Sequence, residues 1–153
     1  MPLIVLETKI AAPIERCFDL ARSVEAHVGS TSKTKERAVA GVTSGLMGLG
    51  DEVTWEAVHL GVRQRLSSRI TRMNRPRSFT DEMVRGAFRS FVHDHEFRVD
   101  GGATVMIDRF DYTSPLGWLG RLADWLFLER YMRQLLLDRA AYLKSEAERL
   151  DQA

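Results

Sequence analysis

Two histidines and an aspartate carry the strongest hint of chemistry in this 153-residue chain. His93 and His95 lie in the run Phe91-Val92-His93-Asp94-His95-Glu96-Phe97. Alternate residues of a strand point to one face, so both imidazoles would stand on the side of Phe91 and Phe97. The next strand offers Thr104, Met106, Asp108 and Phe110 on the matching face, with Asp108 opposite His93 or His95 according to register. A carboxylate in that position would orient an imidazole and favour its charged form.

Three readings of His93, His95 and Asp108 follow. They could be a satisfied polar cluster lining a partly hydrated cavity. They could anchor a carbonyl, hydroxyl or carboxylate of a ligand. They could also do acid/base chemistry, with His93 or His95 as general base held by Asp108, or hold a metal ion between two imidazoles and a carboxylate. Any His-x-His pair on a strand has that geometry, so no metal is assigned. No cofactor is assigned either. The glycines at Gly41, Gly45, Gly48 and Gly50 lack the Lys-Ser/Thr ending of a phosphate loop and open no helix. They suggest a flexible flap beside a pocket.

The elements that must position these residues can be read from periodicity and turn residues. Residues 3–10 form an opening strand, Pro13 starts a short helix at its first turn, and Ser23 caps a second helix ending near Gly29. Ile14, Cys17, Phe18 and Ala21 share one side of the first helix, so Cys17 reads as a small buried residue. Residues 33–40 suit a charged edge strand. From 51 to 112 the pattern is strand, turn, strand, repeated, with turns at Leu60-Gly61, Asn74-Arg75-Pro76, Arg85-Gly86 and Asp100-Gly101-Gly102.

A two-residue turn at Leu60-Gly61 sets Glu56 against Arg65 and Glu52 against Arg69 on one face. It sets Trp55 against Leu66 and Val53 against Ser68 on the other. One face is therefore ion-paired and wet, and the other apolar. The Arg63, Arg65, Arg69 row belongs to that wet face. Extension through the next turn predicts Ile70 beside Phe79 and Leu66 beside Met83. A two-residue turn at Arg85-Gly86 would push the histidines to the wet face, so an odd-length connection or a bulge is predicted there.

The last third, 115–150, reads as one long helix, with Ser114 as cap and Pro115 in the first turn. At ~100° per residue, Trp118, Leu119, Leu122, Trp125, Leu126, Met132, Leu136, Ala140, Leu143 and Ala147 fall on one face. Glu129 and Arg133 fall within it, either paired with each other or with Arg133 aimed at a ligand carboxylate. Phe127, Leu128, Tyr131 and Leu135 lie off that face, which suggests a homodimer contact or attachment to a membrane surface.

Bulk composition excludes several classes. The net charge of +1 comes from 22 basic and 21 acidic residues, so no overall field recruits nucleic acid. A single cysteine excludes an internal disulfide and a cysteine zinc site. The terminal helix carries Arg121, Asp124, Glu129, Arg130 and Arg133 where a membrane span would need hydrocarbon. The N-terminus lacks a basic region and a cleavage site, so a cytoplasmic location is the expectation. Length, 44% hydrophobic residues and 28% charged residues predict one domain, 1–153, with a real core.

This order of elements, an α+β arrangement with a curved antiparallel sheet wrapped around a long C-terminal helix and two short helices after the first strand, resembles the helix-grip fold. The chain resembles the START-like, birch-pollen-allergen-like SRPBCC superfamily, and within it the small bacterial ligand-binding, polyketide-cyclase-like members. The likeness rests on Ala12-Pro13-Ile14, His93-x-His95-x-Phe97, Gly102-x-Thr104-x-Met106-x-Asp108 and Ser114-Pro115-Leu116-Gly117. It implies a cavity for a small hydrophobic ligand between sheet and helix, and in some members cyclisation, dehydration or hydrolysis there. No catalytic motif of an enzymatic branch matches.

Inward-facing residues supply the candidate ligand contacts. Trp55, Phe79, Met83, Phe91, Phe97, Met106 and Phe110 offer apolar area. His59, Gln64, His93, His95, Asp108 and Arg133 offer polar contacts, and Ala57, Ser68 and Asp81 share the face. Segments 42–50 and 27–34 are the expected entrance. Binding of an apolar or amphipathic molecule such as a lipid or polyketide is the first expectation. A cyclase or dehydratase using His93, His95 and Asp108 is an alternative, and an interaction module with a vestigial cavity is another.

Overall fold

The computed structural model describes residues 2–151, with backbone only for the last of these. Seven strands form one antiparallel sheet in the order β1-β7-β6-β5-β4-β3-β2. They are β1 (Leu3–Ile10), β2 (Arg37–Gly41), β3 (Glu52–His59), β4 (Val62–Asn74), β5 (Ser78–Arg85), β6 (Ser90–Asp100) and β7 (Ala103–Thr113). Helices α1 (Ile14–Ala21) and α2 (Val24–Ser30) follow β1, and Ser23 caps α2 by accepting from the Ala26 amide at 3.2 Å. Pro13 stands just before α1 rather than in its first turn. The edge strand is shorter than expected, because residues 32–34 form a 3-10 turn that ends at Lys35 with a left-handed φ of 52°.

Charge pairing fixes the β3–β4 hairpin in the predicted register, Glu56 against Arg65, Glu52 against Arg69 and Trp55 against Leu66. Glu56 also receives Arg37 from β2, at 2.7 Å. The β4–β5 register differs from expectation: Ile70 faces Asp81, Ser68 faces Met83, and Met73 faces Phe79. Next to the turn the offset from expectation is three residues, and a bulge between Ile70 and Arg72 reduces it to two. The shift in the Ile70–Ser68 segment is two residues, so each side chain keeps its face. At the β5–β6 connection the offset is odd, as predicted. It pairs Phe79 with His95 and Asp81 with His93, and both histidines are buried.

The terminal helix departs most from the sequence reading. It comprises α3 (Trp118–Ala123), a π-helical turn (Asp124–Leu128) and α4 (Glu129–Asp151). Ser114 does not cap it. Instead Gly117 (φ 56°) precedes the first turn, and Gly120 fits beneath the Pro115 carbonyl, where a Cβ would come within 2.1 Å of the oxygen. The wider turn carries one extra residue.

The buried side chains of α4 are Leu136, Arg139, Ala140, Leu143 and Ala147, while Trp118 and Trp125 are 67% and 79% exposed. Leu119, Leu122 and Leu126, expected inside, are exposed as well. Leu128, Tyr131 and Leu135, expected outside, line the interior cavity, which leaves only Phe127 of the proposed dimer surface exposed. Asp124 holds the turn in place, accepting from Tyr112 Oη at 3.1 Å and Ser114 Oγ at 2.6 Å.

Two apolar clusters flank the sheet–helix space. One joins α1, α2 and the middle of the sheet to Ala140, Leu143 and Ala147. The other gathers Ile4, Leu6, Phe91, Phe110, Tyr112 and Leu136. No helix among the described residues is long and apolar enough to cross a membrane.

Candidate functional site

Between these clusters lies a cavity of about 350 Å³. Its floor comes from β3 to β7, with Trp55, Ala57, His59, Gln64, Phe79, Phe91 and Phe110. Its roof is α4 and the π turn, through Leu128, Tyr131, Met132, Leu135, Leu136 and Arg139. Four lining residues, Leu60, Arg65, Ala87 and Pro115, are exposed and mark an open side near the β3–β4 turn and the chain before α3.

The expected entrance is differently placed. Segment 42–50 is tied down by backbone bonds from Met47 N to Arg22 O and Val24 N to Gly45 O, both 3.0 Å, so it is no flap. From 27–34, His27 and Thr31 line the cavity. His27 stacks on Trp55 at 4.0 Å and bonds Glu36 at 2.7 Å.

Of the residues proposed from sequence, Trp55, His59, Gln64, Phe79, Phe91, His93, His95 and Phe110 share the cavity wall. Phe97 and Met106 are buried in the first apolar cluster, away from the wall, and Met83 packs at the second. Arg133 is a correction. Its side chain is 43% exposed and faces Glu129 at 4.0 Å, on the outer side of the helix. The arginine that reaches inward is Arg139, at the spacing of Leu136, Ala140 and Leu143. His59 Nδ1 meets Tyr131 Oη at 2.8 Å, linking the end of β3 to α4.

At the closed end four titratable groups and Arg139 form one network. Asp81 stands opposite His93 on the β5–β6 ladder, and His95 opposite Asp108 on the β6–β7 ladder. The hydrogen bonds run diagonally: His95 Nε2 to Asp81 Oδ1 at 2.6 Å, and His93 Nε2 to Asp108 Oδ1 at 3.0 Å. Ionised carboxylates only accept, so each imidazole donates through Nε2. Arg139 Nη1 approaches Asp108 Oδ1 at 3.4 Å and Nη2 donates to the Ala21 carbonyl at 3.0 Å. Aromatic contacts clamp the rings: Phe79 stacks on His95 at 4.1 Å, His95 on His93 at 3.8 Å, and Phe110 meets His93 edge-on.

Burial pushes His93 below the ordinary histidine range, and its neighbour His95 pushes it further. Burial opposes charge on His95 too, but Asp108 and Asp81 outweigh it and raise His95. Asp81 is lowered against burial by His95, and Asp108 lies well below the usual carboxylate range because His93, His95 and Arg139 surround it. The two carboxylates thus face two imidazoles and the Arg139 guanidinium within one buried cluster. Sequence reasoning places Asp81 on the correct face without assigning it a role, and passes over Arg139.

No protein-family model and no curated protein sequence matches the chain. Solved structures do. The protein TTHA0849 from Thermus thermophilus superposes with a TM-score of 0.78 at 20% identity, over 95% of this chain and 97% of that one. The ginseng major latex-like protein 151 from Panax ginseng gives 0.70 at 16% identity, over 95% and 97%. Ara h 8.0201 gives 0.64 at 12%, over 94% and 98%. These likenesses establish the helix-grip fold of the chain.

Proposed function

We propose that this chain binds an apolar or amphipathic small molecule between its sheet and its C-terminal helix. The observation that carries this reading is the 350 Å³ cavity, whose size falls in the range of ligand pockets and whose wall joins many apolar side chains to the Asp81, His93, His95 and Arg139 cluster. Trp55, Phe79, Phe91, Phe110, Leu128 and Leu136 supply apolar contact, worth about 25 cal/mol per Å² removed from water. His93, His95, Asp81 and Arg139 receive the polar end of the molecule. A rigid anchor of this kind lowers the entropy lost on binding.

Filling the cavity tests the proposal. Ala57 is buried on the cavity wall, so Ala57→Trp sends an indole into the space a ligand would take. In a solid core such an enlargement costs about 1–3 kcal/mol. Here the expected result is stability within about 1 kcal/mol of wild type and at least a tenfold loss (about 1.4 kcal/mol) of affinity for an anilinonaphthalene probe. Native mass spectrometry of the wild type should also show a co-purified small molecule that Ala57→Trp lacks. Probe binding that is absent in the wild type, or unaffected by the indole, overturns the proposal.

A further inference from the structure

The geometry points to a transition-metal site at the closed end of the cavity, formed by Asp81, His93 and His95, with Asp108 behind it. One oxygen of Asp81 and one nitrogen from each imidazole lie within 4.8 Å of one another. The nitrogens nearest Asp81 are His95 Nε2, at 2.6 Å, and His93 Nδ1, at 3.9 Å. The opposite nitrogen of each ring faces Asp108, His93 Nε2 at 3.0 Å and His95 Nδ1 at 3.4 Å. Each ring thus presents one nitrogen to the ligand carboxylate and the other to an outer carboxylate, as metal-binding histidines do when a carboxylate fixes their orientation.

Within this cluster two buried atoms lack a hydrogen-bond partner among the described residues, His95 Nδ1 and Asp108 Oδ2. They belong to the two groups that would pair once an ion seated between Asp81 and His95 Nε2, now 2.6 Å apart, moved the ring back toward Asp108. Ligand atoms at about 2.0–2.1 Å from a zinc ion are compatible with this spacing after small side-chain rotations. In binding, the ion replaces the proton between His95 and Asp81, and that proton leaves to solvent.

The donor set selects the class of ion. Two imidazoles and one carboxylate suit Zn²⁺, Co²⁺, Ni²⁺ or Fe²⁺, whereas Mg²⁺ and Ca²⁺ need more oxygen ligands than these strands provide. Asp108 offsets the Arg139 guanidinium, 3.4 Å away, so with neutral imidazoles the cluster keeps one net negative charge. The three ligands come from one wall, and the remaining coordination positions open onto the cavity.

Chelator-stripped protein is titrated with Zn²⁺ by calorimetry, and with Co²⁺ by visible absorption, in the absence of any organic ligand. One equivalent should bind, with ligand-field bands of a four- or five-coordinate nitrogen/oxygen site, and Mg²⁺ should not compete. Asp81→Asn and His95→Gln should abolish this, while Asp108→Asn, which removes only the outer carboxylate, should weaken it about 10–100-fold. Circular dichroism of the apo variants separates loss of ligation from loss of fold, and the Co²⁺ spectrum of the wild type needs no variant. His27 and His59 are the only other histidines, and His27→Gln/His59→Gln should retain the bound equivalent. Absence of stoichiometric binding, or binding that survives in folded Asp81→Asn and His95→Gln, overturns the inference. The titration contains no apolar ligand, so its failure leaves the cavity-binding proposal standing.

Discussion

Asp108→Asn probes the least replaceable charge in the interior. Asp108 is 1% exposed, and a single oxygen accepts from His93 and faces Arg139. Asparagine keeps the shape and can still accept the His93 proton, so the change isolates the charge. It leaves the Arg139 guanidinium, itself 8% exposed, without its nearest carboxylate charge, while the Ala21 carbonyl still accepts from it. Breaking a buried ion pair from one side costs about 3–5 kcal/mol, mainly because a charge is stranded. In a domain of about 150 residues each kcal/mol moves the midpoint by roughly 2–4 °C, so thermal unfolding should fall by about 6–20 °C. Arg139→Met in the same background removes the stranded charge, and the pair should then be linked by a coupling energy of about 0.5–3 kcal/mol. Thermal and urea unfolding of wild type, both single variants and the double variant close the cycle. A loss under about 1 kcal/mol for Asp108→Asn, or fully additive losses, would refute the mutual dependence of Asp108 and Arg139.

Tyr131→Phe cuts the 2.8 Å link between His59 and the helix. Stopped-flow mixing with an apolar probe should show faster association and dissociation, with unfolding changed by no more than about 1.5 kcal/mol. Asp124→Ala leaves the hydroxyls of Tyr112 and Ser114 without their acceptor, at about 1–3 kcal/mol each. Hydrogen exchange should accelerate most in residues 118–128. Burial alone would raise Glu36, but the charge and hydrogen bond of His27 outweigh it and hold Glu36 below its ordinary value of 4.5. A carboxyl lowered in the folded state adds stability that is present above that value and lost as pH falls through the folded one. Glu36→Gln should therefore flatten the acid limb of the unfolding midpoint below about pH 4.5, measured by fluorescence across a pH series.

Why the sheet is readable and the helix is not is a matter of period. A strand repeats every two residues, so the β4–β5 error of two positions leaves Ile70, Ser68, Phe79 and Met83 on their proper face. The demand that His93 and His95 face inward is strong enough to forecast an odd offset at the β5–β6 connection, because Asp94, Glu96 and Arg98 could not be buried unpaired. A helix tolerates no such slip. Met132, Leu136, Ala140, Leu143 and Ala147 keep the predicted face after the π turn, but the segment before it stands off the core with Trp118 and Trp125 exposed, and Leu128, Tyr131 and Leu135 widen the inward face to the cavity. At that turn Asp124 points in to meet Tyr112 and Ser114, partners 12 and 10 residues earlier in the chain. No helical periodicity encodes that contact.

The same limit applies to Arg139 and Arg133. Counting back from Ala147 through Leu143 and Ala140 places Arg139 on the buried face. Arg133, seven and fourteen residues before Ala140 and Ala147, falls on that stripe by the same count. An arginine is expected inside because an amphipathic ligand needs a partner, and helical phase alone does not choose between the two. The buried face of α4 is set by its C-terminal half, where Ala140 and Ala147 permit close approach to α1 and β1. What selects Arg139 is the pair of acceptors that face it, the Asp108 carboxylate and the Ala21 carbonyl, both from distant parts of the chain.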